Sequence, residues 1–178
     1  PFGDSGEDVD SGELLQAFGR YYKNDHEGTL LHLITISDLN IGGRAFTGTL
    51  CAEYAEYEDE IGPYIVGPYG WSRIKPTYQQ YPTFSESVLV FAHELGHNFG
   101  STHTHTCAWG PNGDQAIDNC VDVFVRQGSD CSGVVQNDLT QNSNYNGTIM
   151  SYCAQERSLA VNKEHSLEFH PEPLAVIK

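Results

Sequence analysis

Leu14, Leu15, Phe18, Tyr21 and Tyr22 recur at three- and four-residue steps behind Ser11, a spacing that predicts a helix over 12–23 with Ser11 as its N-cap. Thr29-Leu-Leu-His-Leu-Ile-Thr-Ile36 has the β-branched, apolar content of a strand ended by Asp38 and Asn40, and Gly42-Gly43 turns the chain into a second strand over 44–51. Over 52–82 no period emerges, although Gly67-Pro-Tyr-Gly-Trp71 stands among turn residues as one short strand. Thr83-Phe-Ser-Glu86 has the form of a capping box and opens an apolar run, which predicts a helix over 84–99. Residues 104–147 are rich in Gly, Asn, Asp, Thr and Ser and read as one long loop-dominated segment that disulfides or metal must order. A last helix is expected over 155–169, leading into Phe169-His-Pro171. This order of elements predicts one α/β domain with an irregular C-terminal third.

The helix at 84–99 carries the candidate chemistry. On a helical wheel Phe84, Val88, Phe91, Leu95 and Phe99 fall within roughly 80° of one another, and His93 and His97 lie roughly 160–200° from the centre of that stripe. The helix is thus expected to bury its stripe and present two imidazoles on the other side. One turn apart and ~5–6 Å at Cβ, both can reach one ion. A catalytic zinc takes three protein ligands and keeps a fourth position for water. The third candidate is His103, which no continuing helix would bring to the same ion; Gly100, free to take a positive φ, can end the helix and turn the chain back. Glu94 projects roughly 60–100° away from the two histidines, beside the ion rather than on it, where a general base would take a proton from water. Five residues fixed at these spacings arise by chance with an expectation on the order of 10⁻⁴. A structural zinc site would gain nothing from Glu94 and would normally close its fourth position with Cys or His.

His93, Glu94, His97, Gly100 and His103 together meet HExxHxxGxxH, the pattern of the metzincin zinc endopeptidases. The single methionine, in Gly147-Thr-Ile-Met150-Ser-Tyr152, stands where that group has a Met-containing turn. Within the metzincins the chain resembles the adamalysin/reprolysin branch, especially its microbial reprolysin-like members. The likeness lies in His-Glu-Leu-Gly-His-Asn-Phe-Gly, Gly43-Arg-Ala-Phe-Thr-Gly-Thr-Leu-Cys51, Gly-Thr-Ile-Met-Ser-Tyr-Cys and Phe169-His-Pro171, over about residues 12–171. The resemblance implies a zincin-like α/β fold: a twisted mixed sheet with an active-site helix, and an irregular, disulfide-braced C-terminal subdomain across a cleft. About 1–100 would form the upper subdomain and about 101–178 the lower, in one catalytic domain.

The resemblance further implies a zinc-dependent endopeptidase with His93, His97 and His103 as ligands and Glu94 as general base. Met150, whose thioether is a poor zinc ligand beside three imidazoles, is implied to form an apolar floor beneath them. Gly43, Arg44, Ala45, Phe46, Thr47 and Gly48 resemble the family's upper-rim edge strand, which pairs with an extended substrate through main-chain hydrogen bonds; an ordinary edge strand is the alternative. Residues 154–161 would wall the pocket for the substrate residue after the cut. Two departures stand out. Thr104 follows the third histidine where reprolysins usually have Asp, and His105 offers a competing imidazole, His103 being preferred for its spacing from Gly100. Tyr152, two residues after Met150, is similar to the astacin and serralysin pattern, in which such a tyrosine binds zinc at rest or donates to the oxyanion; a plain core aromatic is the equal alternative.

Composition narrows the partners. Twenty-four acidic residues against nine Lys plus Arg, a net charge of −15, work against nucleic acid. Solubility accounts for the acidity, with a preference for basic substrates or a salty habitat as alternatives. The longest apolar run, at 88–92, is far below the ~20 residues of a membrane span. Five cysteines beside a single Met suggest an oxidising compartment. Cys107, Cys120, Cys131 and Cys153 flank the irregular segment, so two disulfides are expected there, with three pairings open. Cys51 is left over; in relatives this position can pair with a cysteine near the C-terminus, and none follows Cys153. His26, His32, His165 and His170 stand alone and read as surface or satisfied core residues, and Asn146-Gly-Thr148 as an incidental glycosylation pattern. With no signal-like segment after Pro1, any targeting or pro-segment is expected to have been removed or to lie outside this sequence. The expectation is a secreted, extracellular monomer that acts on protein or peptide substrates with Zn2+, the many Asp and Asn residues also leaving room for Ca2+. Two alternatives are a non-catalytic adhesion module that keeps the fold, though such modules commonly lose the base that Glu94 retains, and a zinc hydrolase acting on something other than peptides.

Overall fold

A computed structural model describes residues 10–25, 27–36, 41–76, 86–126, 130–134, 147–153 and 166–177. They form a mixed α/β structure in the order α1 (Ser11–Tyr22), β1 (Leu31–Thr35), β2 (Gly43–Ala45), β3 (Ala55–Glu58), β4 (Pro63–Val66), β5 (Tyr69–Arg73), α2 (Glu86–Asn98), β6 (Gln115–Ala116), β7 (Gly133–Val134) and α3 (Pro171–Val176). The chain divides into two compact units, Pro1–Gly100 and Ser101–Lys178. No helix among the described residues is long and apolar enough to cross a membrane.

In the first unit the helix at 12–23 is found one residue earlier, and its N-cap is Asp10, not Ser11: the Asp10 carboxylate accepts from Gly12 N and Glu13 N. A carboxylate also suits the positive end of the helix better than a hydroxyl does. Leu15 and Phe18 on α1 bury themselves against Ile65, Tyr69 and Trp71. The sheet runs in the order β1-β5-β2, with β1 parallel and β2 antiparallel to the central β5. Burying Tyr69, Gly70, Trp71 and Ser72 in succession leaves β5 no alternation of apolar and polar residues; the short strand expected within 67–71 is found, extended to Arg73. β3 and β4 form an antiparallel hairpin that the sequence reading missed altogether, because β3 lies largely exposed and buries no apolar face.

The second strand, expected over 44–51, stops at Ala45. Gly48 turns left-handed at φ 71, and Gly48 N and Leu50 N donate to His97 O and Asn98 O of α2 instead of to a neighbouring strand. After three residues the chain therefore leaves the sheet to cover the end of a helix.

His32 on β1 is buried in part, 2.8 Å from Ser72 Oγ through Nε2 and edge-on to Phe91 of α2. Burial disfavours its charged form and lowers its pKa from 6.5 to about 4. The unfolded chain takes up this proton as pH falls through 6.5 and the folded chain does not until about 4, so stability is lost between those values on acidification. At most ~3 kcal/mol is at stake. Denaturant titrations at pH 7 and 4.5 are expected to show a loss of this order that His32→Gln removes; the same loss in the variant would exclude His32 as its source.

In the second unit β6 and β7 contribute only two residues each, and the described part of 104–147 is loop, as its composition predicts. Two disulfides order it, Cys107–Cys131 and Cys120–Cys153, and Cys51 is exposed and unpaired, as expected from the cysteine count. Closing loops of 24 and 33 residues removes denatured-state entropy worth ~3 kcal/mol per bridge. The helix expected over 155–169 falls mostly outside the described residues, and 166–170 are not helical. A helix begins instead at Pro171: His170, extended at ψ 147 as a residue before proline should be, caps it by accepting from Glu172 N.

Candidate active site

α2 positions the candidate catalytic pair. It begins at Glu86; Thr83, its expected cap, lies outside the described residues. Sequence periodicity predicts a buried apolar stripe and outward histidines, and the structure corrects this: His93, Glu94, Gly96, His97 and Asn98 are buried and Val88 is half exposed. The polar side of α2 is thus the more deeply enclosed of the two. His93 and His97, one turn apart, meet edge to face with ring centroids 4.8 Å apart.

Glu94 retains 6% of its surface, and its Oε2 is buried with no hydrogen-bond partner among the described residues. Burial pushes its carboxyl up to about 8, with Arg44 on β2 pulling the other way. The side chain fits only because residue 43 is glycine: a Cβ there would come within 2.6 Å of Glu94 Cγ and of Trp71 O. Gly43 thus has a structural reason that its place in a rim motif does not supply.

Gly100 adopts φ 107, and Phe99 N and Gly100 N close the last turn onto Leu95 O and His97 O. Three residues later His103 is held by its carbonyl, which accepts from Trp109 Nε1 at 2.9 Å and from Thr106 N at 3.0 Å. Within this short stretch of chain, His93, His97 and His103 each offer one ring nitrogen, and the three nitrogens lie within 4.8 Å of one another. His105 is outside that group; its ring stacks on His103 at 4.9 Å, nearly parallel.

Met150 is fully buried, and its carbonyl accepts from both Thr104 N (3.0 Å) and Thr104 Oγ1 (3.2 Å). Thr104 therefore ties the residue after His103 to the segment around Met150. Cys120–Cys153 fastens the other end of that turn. Tyr152 brings its hydroxyl 2.9 Å from His103 Nε2, and its ring packs against both His103 and His105. Asp118, Cys120 and Cys153 also cluster, but both sulfurs are in a disulfide and offer no thiolate. Of the rim residues, Gly43, Arg44 and Ala45 form β2 at the edge of the described sheet, and Phe46, Thr47 and Gly48 lie in the turn beyond it. The expected pocket wall at 154–161, His26, His165 and Asn146 lie outside the described residues.

Trp109 and Asn98 are functional positions that periodicity and motif spacing do not mark. A lone Trp in a Gly- and Asn-rich segment signals an anchor for that segment, and a polar residue next to the glycine-ended turn of α2 signals a capping contact.

Three imidazoles are a nitrogen donor set of the kind zinc takes, leaving a position for water, and a buried carboxylate oxygen without a partner stands on the same helix; these residues fit the ion. Residues 3–162 match the family model described as Metallo-peptidase family M12. No curated protein matches the chain.

Proposed function

Since the chain belongs to metallopeptidase family M12, we propose that it is a secreted zinc endopeptidase whose 178 residues form one catalytic domain. The observation that carries this reading is the convergence of His93, His97 and His103, with Glu94 in the same helix. These three imidazoles would hold zinc, which when bound supplies Lewis acidity for a water and for the carbonyl of the bond to be cut.

Glu94 acts as general base. It takes a proton from the attacking water at a carboxylate oxygen and returns it to the leaving amine. The burial of this carboxyl, with Oε2 unpartnered among the described residues, supports the role. Tyr152, whose hydroxyl lies 2.9 Å from His103 Nε2, stabilises the oxygen on which negative charge develops by donating a hydrogen bond to it while keeping its proton. Met150 provides an apolar floor under His103; its full burial and its bonds to Thr104 support that role. Residues Gly43 to Gly48 pair with an extended peptide; the edge position of β2 supports this. Gly48 N is engaged by His97 O, so pairing falls to the groups before it. Two disulfides favour an oxidising, extracellular setting.

The zinc-replete chain, incubated with a blocked-end peptide library, is expected to produce internal cleavages detectable by mass spectrometry. Hydrolysis confined to non-peptide substrates, or no internal cut in any peptide, would sink the proposal.

A further inference from the structure

Asn98, immediately after His97, has no exposed surface. Its Nδ2 lies 3.1 Å from Phe46 O, 3.3 Å from Thr49 Oγ1 and 3.2 Å from Tyr69 O. Two of these are carbonyls, which only accept, so only the amino end of the amide can face them. Oδ1 is consequently turned toward Gly70 and is buried with no hydrogen-bond partner among the described residues. An apolar side chain of similar size would fill the same space without stranding an acceptor, so packing alone does not account for an amide here. What the amide adds is a set of donors aimed at 46–49.

The main chain repeats the connection. Gly48 N donates to His97 O at 2.8 Å and Leu50 N to Asn98 O at 3.0 Å, so the last carbonyls of α2 are capped by the segment that Asn98 holds from the side. Phe46, whose carbonyl Asn98 grips, also packs edge-on to Tyr69, ring centroids 5.3 Å apart. The rim segment is thus fastened to the helix end that carries His97, and through Tyr69 O to the central strand.

We propose that Asn98 is a positioning residue for substrate: by holding 46–49 at a fixed place on the end of α2, it sets where an extended peptide pairs relative to His97. This rests on the peptidase reading above. The inference separates two requirements. Binding along the rim depends on Asn98, and proton transfer depends on Glu94.

The test uses the full chain with Asn98→Asp, which keeps the shape but sets a carboxylate oxygen against two carbonyls. Thr49→Ala is a milder second variant that removes one acceptor. By hydrogen exchange, the Gly48 and Leu50 amides are expected to exchange about tenfold faster in Asn98→Asp and about threefold faster in Thr49→Ala, with α1 and β1 amides unchanged. In kinetics on the zinc-replete chain, Asn98→Asp is expected to raise KM about tenfold for peptides long enough to reach the rim, with kcat within about twofold. Uniform acceleration of all amides, or an unchanged KM with only the folded fraction reduced, would make Asn98 a plain core residue and overturn the proposal. Should Asn98→Asp fail to fold, both readouts are taken from Thr49→Ala alone and decide in the same way. If the wild-type chain cuts no peptide, the peptidase reading fails, and the exchange rates of Gly48 and Leu50 still decide whether Asn98 is the fastening.

Discussion

Glu94→Gln is expected to lower kcat for peptide cleavage by ~10³-fold while zinc content and fold are kept, the loss of a positioned general base being worth ~10²–10⁴. The substitution keeps the length and shape of the side chain, so the close fit of its Cγ against Gly43 survives. It leaves His93 and His97 on an unchanged helix. It also removes a group whose charged form burial disfavours, so the melting temperature should hold or rise. That combination is diagnostic, because a variant that merely damages the site would lose stability or metal along with rate. The measurement is kcat on a peptide substrate beside zinc stoichiometry and thermal unfolding of the same preparation. Undiminished turnover at full zinc occupancy would remove Glu94 from the mechanism.

The candidate site was more legible in the sequence than the fold around it. His93, Glu94, His97, Gly100 and His103 are fixed by local spacing within eleven residues, and the structure gathers the three histidines as that spacing requires, with Gly100 at a positive φ. Local spacing says nothing about what encloses a helix from outside, so the burial of its polar side went unseen: Gly43 and 46–50 come from far along the chain to cover it. The same limit left β5 visible only as the short strand expected within 67–71 and hid the β3–β4 hairpin. A strand buried on both faces has no alternation, and β3 is largely exposed while β4 buries Ile65 alone, so neither carries the period-two signal. The cysteines were informative in kind but not in pairing, because which sulfur meets which depends on the path of a loop that has no periodicity. Thr104 shows a third kind of limit. Its hydroxyl and amide both reach Met150 O, a contact legible only once the chain is folded.

Removing zinc with a chelator is expected to abolish cleavage completely and reversibly, and His103→Ala to weaken zinc binding by more than ~100-fold, since even an outer-shell partner of a metal ligand is worth ~10–100-fold. Reversibility follows from what holds the ligands when the ion is gone. His93 and His97 stay on a helix capped by Gly48 and Leu50, and the His103 segment stays pinned by Trp109, Thr106 and the Thr104–Met150 bonds. Two disulfides, Cys107–Cys131 and Cys120–Cys153, brace the described part of that unit. Re-addition of one equivalent of zinc should therefore restore activity without refolding. His105→Ala provides the contrast: its ring stacks on His103 but lies outside the three-nitrogen group, so this variant should keep stoichiometric zinc and lose activity by no more than about tenfold through looser orientation of His103 and Tyr152. Zinc content after dialysis, measured on both variants with peptide cleavage alongside, separates the two imidazoles. Retention of zinc by His103→Ala together with its loss in His105→Ala would transfer the third ligand to His105 and require the chain after Gly100 to rearrange on binding the ion.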